Sequence, residues 1–272
     1  MNGYGTLDRQ TFKQFAELIY NEAGIHLADH KQALVSARLG KRMRALKIND
    51  FDEYYSYVQN DRSQAELSQL LDAISTNVTF FYREADHFDI LSKIVQEWAQ
   101  AGQTRFRLWC AAASTGEEPY TIALTLAESL KDLRDVKLLA TDISTSVLNT
   151  AKKGEYEGKK LEKISRQLIQ KYFSPVQGKG ARTYQVKKHI KDMITFSWLN
   201  LSTPPFPMRG PLDVIFCRNV MIYFDNAVRQ RLLDEMHRIL KPGGYLMVGH
   251  AESLSGLLSG FKSVRPSVYV KQ

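Results

Sequence analysis

Residues Phe106 to Leu126 read FRLWCAAASTGEEPYTIALTL. A short apolar run (Phe106, Leu108, Trp109, Cys110) passes into small residues and Ser114-Thr115-Gly116, then into two carboxylates, a proline and a run with helical spacing. This order predicts a buried strand, a tight turn and a helix. Pro119 suits the first helical turn, where its missing N–H would have no partner, and Ile122, Leu124 and Leu126 can face a sheet. A strand, a small-residue turn and a helix in succession form a nucleotide-sized crevice at the carboxyl edge of an open parallel sheet. The turn lacks the glycine fingerprint of dinucleotide sites. Gly116 stands alone, and Glu117 and Glu118 sit where a diphosphate requires backbone N–H groups and no negative charge. Acid at this turn favours a ligand with a hydroxyl or cationic face.

Further strands follow. Val136 to Thr141 (VKLLAT) ends in Asp142, and an acidic residue roughly 20 to 30 positions past the first turn is where a ribose hydroxyl pair is accepted in such sheets. Asp142 can equally cap the helix that begins with Ser144 and Val147 to Ala151. Ile194 to Leu201 (ITFSWLNL), Leu212 to Cys217, Tyr245 to Gly249 and Ser267 to Lys271 complete the strand set. Ala227 to Leu240 reads as an amphipathic helix stopped by Lys241-Pro242-Gly243-Gly244. Strands alternating with helices predict a doubly wound, Rossmann-like parallel sheet. Its usual order sets the first and fourth strands side by side, so Arg218 and Asn219 would face the crevice of Thr115 to Glu117.

Upstream, residues 1–76 read as an all-helical domain, with helices near Thr11 to Glu22, Asp29 to Leu46, Phe51 to Val58 and Ser63 to Ser75. In the second, Val35, Leu39, Met43 and Leu46 make a core stripe. Lys31, Arg38, Lys41, Arg42 and Arg44 fall on the remaining arc, either as a face that docks an acidic partner helix or as the wet side of an amphipathic helix. NVTFFYR, residues 77–83, is β-branched and aromatic; a linker over 77–84 leads into a helix over Glu84 to Gln100 and a second domain over 85–272.

The formal charge of the 272 residues is +8, and 44% of them are hydrophobic. Between Ala151 and Met193 stand 12 Lys or Arg against 4 Asp or Glu, so the whole excess lies in one segment. That segment, an insertion of about 154–193, carries a helical run (Leu161 to Phe173) and Tyr184 to Lys188 as one arm of a hairpin closed by Gln177-Gly178-Lys179-Gly180. A basic segment binds nucleic acid, an acidic membrane or an acidic partner, or is a solvated face. The N-terminus has no signal-peptide pattern, and no apolar run approaches the roughly 20 residues of a membrane span. A cytoplasmic protein is expected, with Cys110 and Cys217 buried and reduced.

Several chemistries are missing from the sequence. His26 and His30 flank Asp29, a candidate N-cap, and no third metal ligand is near them; His250 follows a strand and is as well explained as a structural donor. There is no Gly-x-Ser-x-Gly elbow and no phosphate-binding Gly-Lys-Ser/Thr loop. What remains is a crevice with Glu117, Asp142, Asn200, Arg218 and Asn219 at strand ends. Carboxylates and amides around a pocket suit a ribose, an adenine and a cationic sulfonium, which points to S-adenosylmethionine.

NVTFFYRE, WCAAASTGEEPYTIA, LLATDIS, LNL, DVIFCRNVMIYFD and ILKPGGYLMVGHAESL together resemble the CheR family of chemotaxis receptor methyltransferases, over nearly the whole chain. The resemblance implies an S-adenosylmethionine-dependent methyltransferase fold bearing an N-terminal helical domain and a small antiparallel β insertion. It implies transfer of methyl groups to receptor glutamates and no metal. By matching motifs, Asn77, Thr79, Arg83, Glu117, Asp142, Asn200, Leu201, Arg218 and Asn219 would line the cofactor site. Arg83 and Tyr223 would lie nearest the transferred methyl, and Arg38, Lys41, Arg42 and Arg44 would dock the cytoplasmic helical domain of a receptor. Some members also tether a receptor tail peptide through the β insertion, and Gly178 to Gly180 keeps a loop of that kind. A monomer without nucleic-acid binding or membrane insertion is expected.

The reaction fits the residues. A glutamate acceptor, with a reference pKa of about 4.3, is ionised at neutral pH and needs no general base. Two competitors are a nucleic-acid methyltransferase using the basic insertion on phosphates and a non-catalytic sensor of the cofactor. Against the first, Cys217-Arg218-Asn219-Val220 lacks the Asn/Asp-Pro-Pro-aromatic motif suited to exocyclic amines, and no proline precedes Cys217. Against the second stand Arg83 and Tyr223.

Overall fold

The computed structural model describes residues 5–178, 182–254, 256–257 and 260–272. Its N-terminal part is helical, with α1 (Arg9–Ala23), α2 (Gln32–Leu46), α3 (Phe51–Asn60) and α4 (Ala65–Ile74). The Asp8 side chain accepts from Gln10 and Thr11 N–H and so caps α1, and Asp50 caps α3 in the same way. Asp29 is not the helix cap its position suggested: it opens a short 3-10 turn before α2 and accepts from Arg9 at 2.9 Å. Phe12, Phe15, Ile19, Val35, Leu39, Met43, Tyr54 and Leu70 meet in one core, the apolar stripes of the four helices turned inward.

Two of the basic residues expected on the docking face of α2, both half-buried, bond to α4 and the segment that follows it. Arg42 forms a two-pronged pair with the buried Glu66, Nε to Oε1 at 2.8 Å and Nη2 to Oε2 at 2.5 Å, and Tyr54 donates to the same carboxylate at 2.8 Å. Arg38 donates from Nη1 to the carbonyl of Ile74 and from Nη2 to Thr76 Oγ1. Lys31, Lys41 and Arg44 are exposed.

The remainder is built on a sheet. Helix α5 (Asp86–Gln100) leads into β1 (Phe106–Cys110), and α6 (Glu117–Ser129), β2 (Val136–Asp142) and α7 (Thr145–Lys153) follow. The insertion then supplies β3 (Glu155–Glu157), α8 (Arg166–Tyr172), β4 (Phe173–Val176), β5 (Thr183–Val186) and the single turn α9 (Lys188–Lys191), before β6 (Ile194–Trp198) returns to the sheet. Last come β7 (Leu212–Cys217), α10 (Asn226–Ile239), β8 (Leu240–Val248), β9 (Phe261–Arg265) and β10 (Val268–Lys271). The seven strands lie in the order β6-β2-β1-β7-β8-β10-β9, with β1 between β2 and β7. The first five are parallel, whereas β10 runs antiparallel to β8 and to β9. Two apolar clusters cover the two faces, one with Phe88, Ile122 and Val136, the other with Trp109, Ile215 and Leu232.

Three local readings differ from the sequence pattern. Lys241-Pro242-Gly243-Gly244 does not separate helix from strand: β8 begins at Leu240, and the pairing with β7 shifts register between Leu212 and Val214. Strand β9 was hidden because four of its five residues, from Lys262 on, are exposed. In the insertion, the helical run begins only at Arg166, where Ser165 caps it.

The hairpin is real: β5 pairs antiparallel with both β3 and β4, and Pro175 lies on the outer strand β4, where a missing N–H is tolerated. Part of its closing turn, residues 179–181, lies outside the described residues. The insertion's positive charge is largely engaged at home. Lys160 pairs with Glu117, Lys171 with Glu128 and Lys188 with Asp192, each at 2.7 Å, while Lys187 and Lys191 donate to main-chain carbonyls.

Arg42→Ala should leave Glu66 buried without its counter-charge and lower stability by about 3 kcal/mol. Urea unfolding should show the midpoint falling at unchanged slope, while exposed Lys41→Ala should shift stability by less than about 0.5 kcal/mol.

Candidate functional site

The carboxyl ends of β1, β2, β6 and β7 open into a cleft closed on the far side by Ala23, Ile25 and the segment Ile74 to Thr79. Its floor is the turn after β1. Gly116 has φ +99° and lies so close to Tyr156 and Ala151 that a Cβ there would stand 2.6 Å from the Tyr156 hydroxyl. Ser114, with φ +46°, turns its N–H to Asp142 Oδ2 at 2.8 Å. Ser144 N–H donates to Asp142 Oδ1 at 3.0 Å, while the Ser144 hydroxyl, not Asp142, caps α7. Burial pushes the Asp142 carboxyl up, and these two N–H groups oppose it. A carboxylate accepts about four hydrogen bonds, so Asp142 keeps lone pairs for a ligand's hydroxyls.

Arg218, at the end of β7, is the buried charge of the site. Its Nη1 donates to Glu118 Oε2 at 2.9 Å and its Nη2 to Glu84 Oε2 at 3.0 Å and to the Arg83 carbonyl, with the guanidinium 5.4 Å from the Phe88 ring centre. Burial raises the Glu118 carboxyl, opposed by Arg218, whereas at Glu84 the charge and hydrogen bonds of Arg218 overcome burial and hold the carboxyl low. Glu84 also accepts from the Asn219 side chain at 3.3 Å and the His250 N–H at 3.2 Å. Asn219 has φ +58°, and Glu252 holds it there. The buried Glu252 carboxylate accepts the N–H groups of Asn219, Val220, Met221 and Gly249, at 2.6 to 2.9 Å. Gly249 leaves room for this, since a Cβ would stand 2.9 Å from Glu252 Oε2. Ser114 and Asn219 on the cleft, and Glu84 next to Arg83, have left-handed backbone, as strained residues at functional sites do.

Of the residues singled out from sequence, Asn77, Thr79, Arg83, Asp142, Asn200, Leu201, Arg218, Asn219 and Tyr223 all line the cleft. Glu117 does not. Its carboxylate is fully buried beneath the floor, accepting from Thr115 Oγ1 at 2.6 Å and paired with Lys160, and its neighbour Glu118 faces the cleft instead. Asn200 is largely spoken for: its amide donates to the Glu22 carbonyl at 2.7 Å, and its oxygen accepts from Ser202 N–H and hydroxyl. Arg83 donates from Nη1 to the Val78 carbonyl at 2.8 Å. Tyr223 sits in a 3-10 turn, Met221–Tyr223, whose last carbonyl accepts from His26 N–H at 2.8 Å.

Sequence reasoning missed Glu84, Glu118 and Glu252. The available signal was Arg218 itself, because a charged side chain inside a sheet edge demands carboxylate partners. Glu84, His87 and His250 also converge, their ligand-type atoms within 4.8 Å of one another, but Glu84 is engaged by Arg218 and His250 by Asp86. Burial keeps His87 neutral, its pKa near 4. Both cysteines are buried, with thiols pushed up by desolvation and thus poor nucleophiles.

The cleft can therefore bind hydroxyls through Asp142, and Glu118, Arg83 and Tyr223 stand on its walls. Residues 10–75 match the family model described as CheR methyltransferase, all-alpha domain, and residues 77–270 that of CheR methyltransferase, SAM binding domain. The chain is 41% identical over 259 residues to a chemotaxis protein methyltransferase of Salmonella typhimurium, covering 95% of this chain and 88% of the relative. It is 36% identical over 273 residues to a chemotaxis protein methyltransferase of Borreliella burgdorferi, covering 97% of this chain and 95% of the relative. It is 38% identical over 262 residues to chemotaxis protein methyltransferase 2 of Pseudomonas aeruginosa, covering 96% and 92%. With a cleft built from the same two matched segments, the chain belongs to the CheR methyltransferase family.

Proposed function

We propose that the protein transfers a methyl group from S-adenosylmethionine to glutamate side chains of methyl-accepting chemoreceptors, forming glutamyl methyl esters. The observation that carries this reading is the convergence of Arg83 and Tyr223 on the same cleft as the buried carboxylates Asp142 and Glu118. The donor set fits the cofactor: Asp142 for ribose hydroxyls, Asn219 and main-chain groups for polar edges, and Ile25, Leu201 and Val220 as apolar walls. Bound there, S-adenosylmethionine supplies an electrophilic methyl group on a positively charged sulfur.

The chain's own residues do the positioning. Arg83 keeps guanidinium N–H groups beyond the one given to Val78, and an arginine orients a carboxylate by paired hydrogen bonds. The Tyr223 hydroxyl can donate a further bond to the same acceptor. A glutamate is already ionised, so no proton is moved before the bond to carbon forms. Rate enhancement then comes from alignment and from solvent exclusion at a prepared site.

On α2, Lys41 and Arg44 are exposed where an acidic receptor helix would meet them, and Lys31 is exposed at the start of the same helix. The β3-β5-β4 sheet is the surface on which a receptor tail peptide would add. No described helix is long and apolar enough to cross a membrane. The internal pairing of the insertion's lysines weighs against phosphate binding as its role.

Asp142→Ala should weaken S-adenosylmethionine binding by about 1 to 3 kcal/mol, since it removes a charged acceptor from buried hydroxyls. Calorimetry should find Glu118→Gln also weakened and Lys160→Ala, beneath the floor, close to wild type; unchanged affinity in a folded Asp142→Ala protein would remove Asp142 from the site.

With methyl-labelled S-adenosylmethionine and receptor-bearing membranes, label should appear on protein and be released as volatile methanol by mild alkali, with none on RNA or DNA. Arg83→Ala should cut turnover by about a hundredfold, the scale of a misplaced reacting group. Alkali-stable label, or label on nucleic acid, contradicts the assignment; no label with intact cofactor binding would instead favour a sensor.

A further inference from the structure

We propose that Arg38 is a positioning residue for the cofactor cleft, pinning the Ile74–Thr76 wall of that cleft to helix α2. The wall needs such a pin. Helix α4 stops at Ile74, and the C-cap Ser75 leaves in an extended conformation (φ −63°, ψ 143°) with no left-handed glycine to tie off the last carbonyls. The Ile74 carbonyl is taken by Arg38 Nη1, and Nη2 reaches past the helix end to Thr76 Oγ1 at 2.8 Å. A cation there also opposes the negative end of the helix dipole.

From this point the chain runs along the cleft as Ile74 to Thr79. Its later part is held by Ser114 Oγ on the Asn77 carbonyl at 3.3 Å and by Arg83 on the Val78 carbonyl at 2.8 Å. The entry to the wall therefore depends on α2, and the bond requires a planar fork that spans two acceptors, which lysine cannot supply. The residue's pattern on α2 suggested a receptor contact; its guanidinium lies against the Ile74–Thr76 segment of the cleft wall. If α2 is the docking helix, as proposed above, Arg38 links receptor engagement to the shape of the cofactor cleft, and that link rests on the proposed function while the pinning does not.

The test is calorimetry of S-adenosylhomocysteine with the full chain, paired with receptor titration of methylation. Arg38→Ala should raise the Kd for S-adenosylhomocysteine about five- to tenfold, the scale of two lost hydrogen bonds to a partly buried wall. The KM for receptor should stay within about twofold, and Lys41→Ala should show the opposite split. Arg38→Lys should resemble Arg38→Ala, and Thr76→Val, on an exposed side chain, should raise Kd about two- to threefold and add little to Arg38→Ala. Arg42→Ala, which loosens the same domain, should leave the Kd near wild type.

Full rescue by lysine, a Kd increase in Arg42→Ala equal to that in Arg38→Ala, or an unchanged Kd with a raised receptor KM would each overturn the proposal. Because S-adenosylhomocysteine binding needs no receptor, failure of the receptor assignment would appear separately, as normal binding without methylation.

Discussion

A guanidinium buried between two carboxylates organises this molecule. Arg218 follows β7, Glu118 lies in the first turn of α6 and Glu84 precedes α5, so one charge joins three segments that are distant in sequence. Removing such a charge from water costs several kcal/mol per ion, and it is offset here by the two carboxylates and the Arg83 carbonyl, which take up Nη1 and Nη2 while the buried Nε has no partner. Glu118 gains further from lying in the first turn of a helix, where the dipole favours an anion. The consequence is positional. Glu84 cannot leave Arg218, so Arg83 beside it and the wall from Asn77 to Thr79 are held at the mouth of the cleft.

Much of this was legible because it depends on residues whose environment their neighbours dictate. The run FRLWC followed by small residues and Gly116 could only be a buried strand entering a tight turn, and the crevice lies where that reading puts it. Strand ends then yielded Asp142, Arg218 and Asn219. What was not legible is rotation and partnership. Adjacent residues on a helix point about 100° apart, so whether Glu117 or Glu118 faces the cleft depends on the phase that the left-handed Gly116 sets. Likewise Arg38, Lys41, Arg42 and Arg44 look alike on α2. Only the placement of α4 separates Arg38 and Arg42, which bond to it, from Lys41 and Arg44, which are more exposed.

Net charge misled in a related way. The insertion carries the whole formal excess of the chain, yet two of its lysines answer carboxylates of α6, Lys160 with Glu117 and Lys171 with Glu128, and others pair within the insertion. Tyr156 extends the same docking, donating to the Thr115 carbonyl at 2.8 Å and meeting Phe81 edge to face. The insertion thus buttresses the floor of the cleft from behind. Its basic composition is, to this extent, complementarity to an acidic turn.

The helical domain is joined to the cleft rather than merely tethered beside it. Asn200 fastens the C-terminal end of α1, Ile25 forms a bridge with Phe224, and Tyr20 donates to Asp225, the residue that caps α10. These contacts bracket Tyr223, so a helix packed on the N-terminal domain has a fixed relation to the hydroxyl proposed to meet the acceptor. Alignment of an ionised oxygen with an electrophilic carbon tolerates little error, on the order of an ångström. A domain that binds the acceptor must therefore be rigid against the domain that binds the donor. In this chain that rigidity comes from the main-chain bond of His26 to Tyr223 together with the side-chain bonds of Asn200 and Tyr20 at the rim.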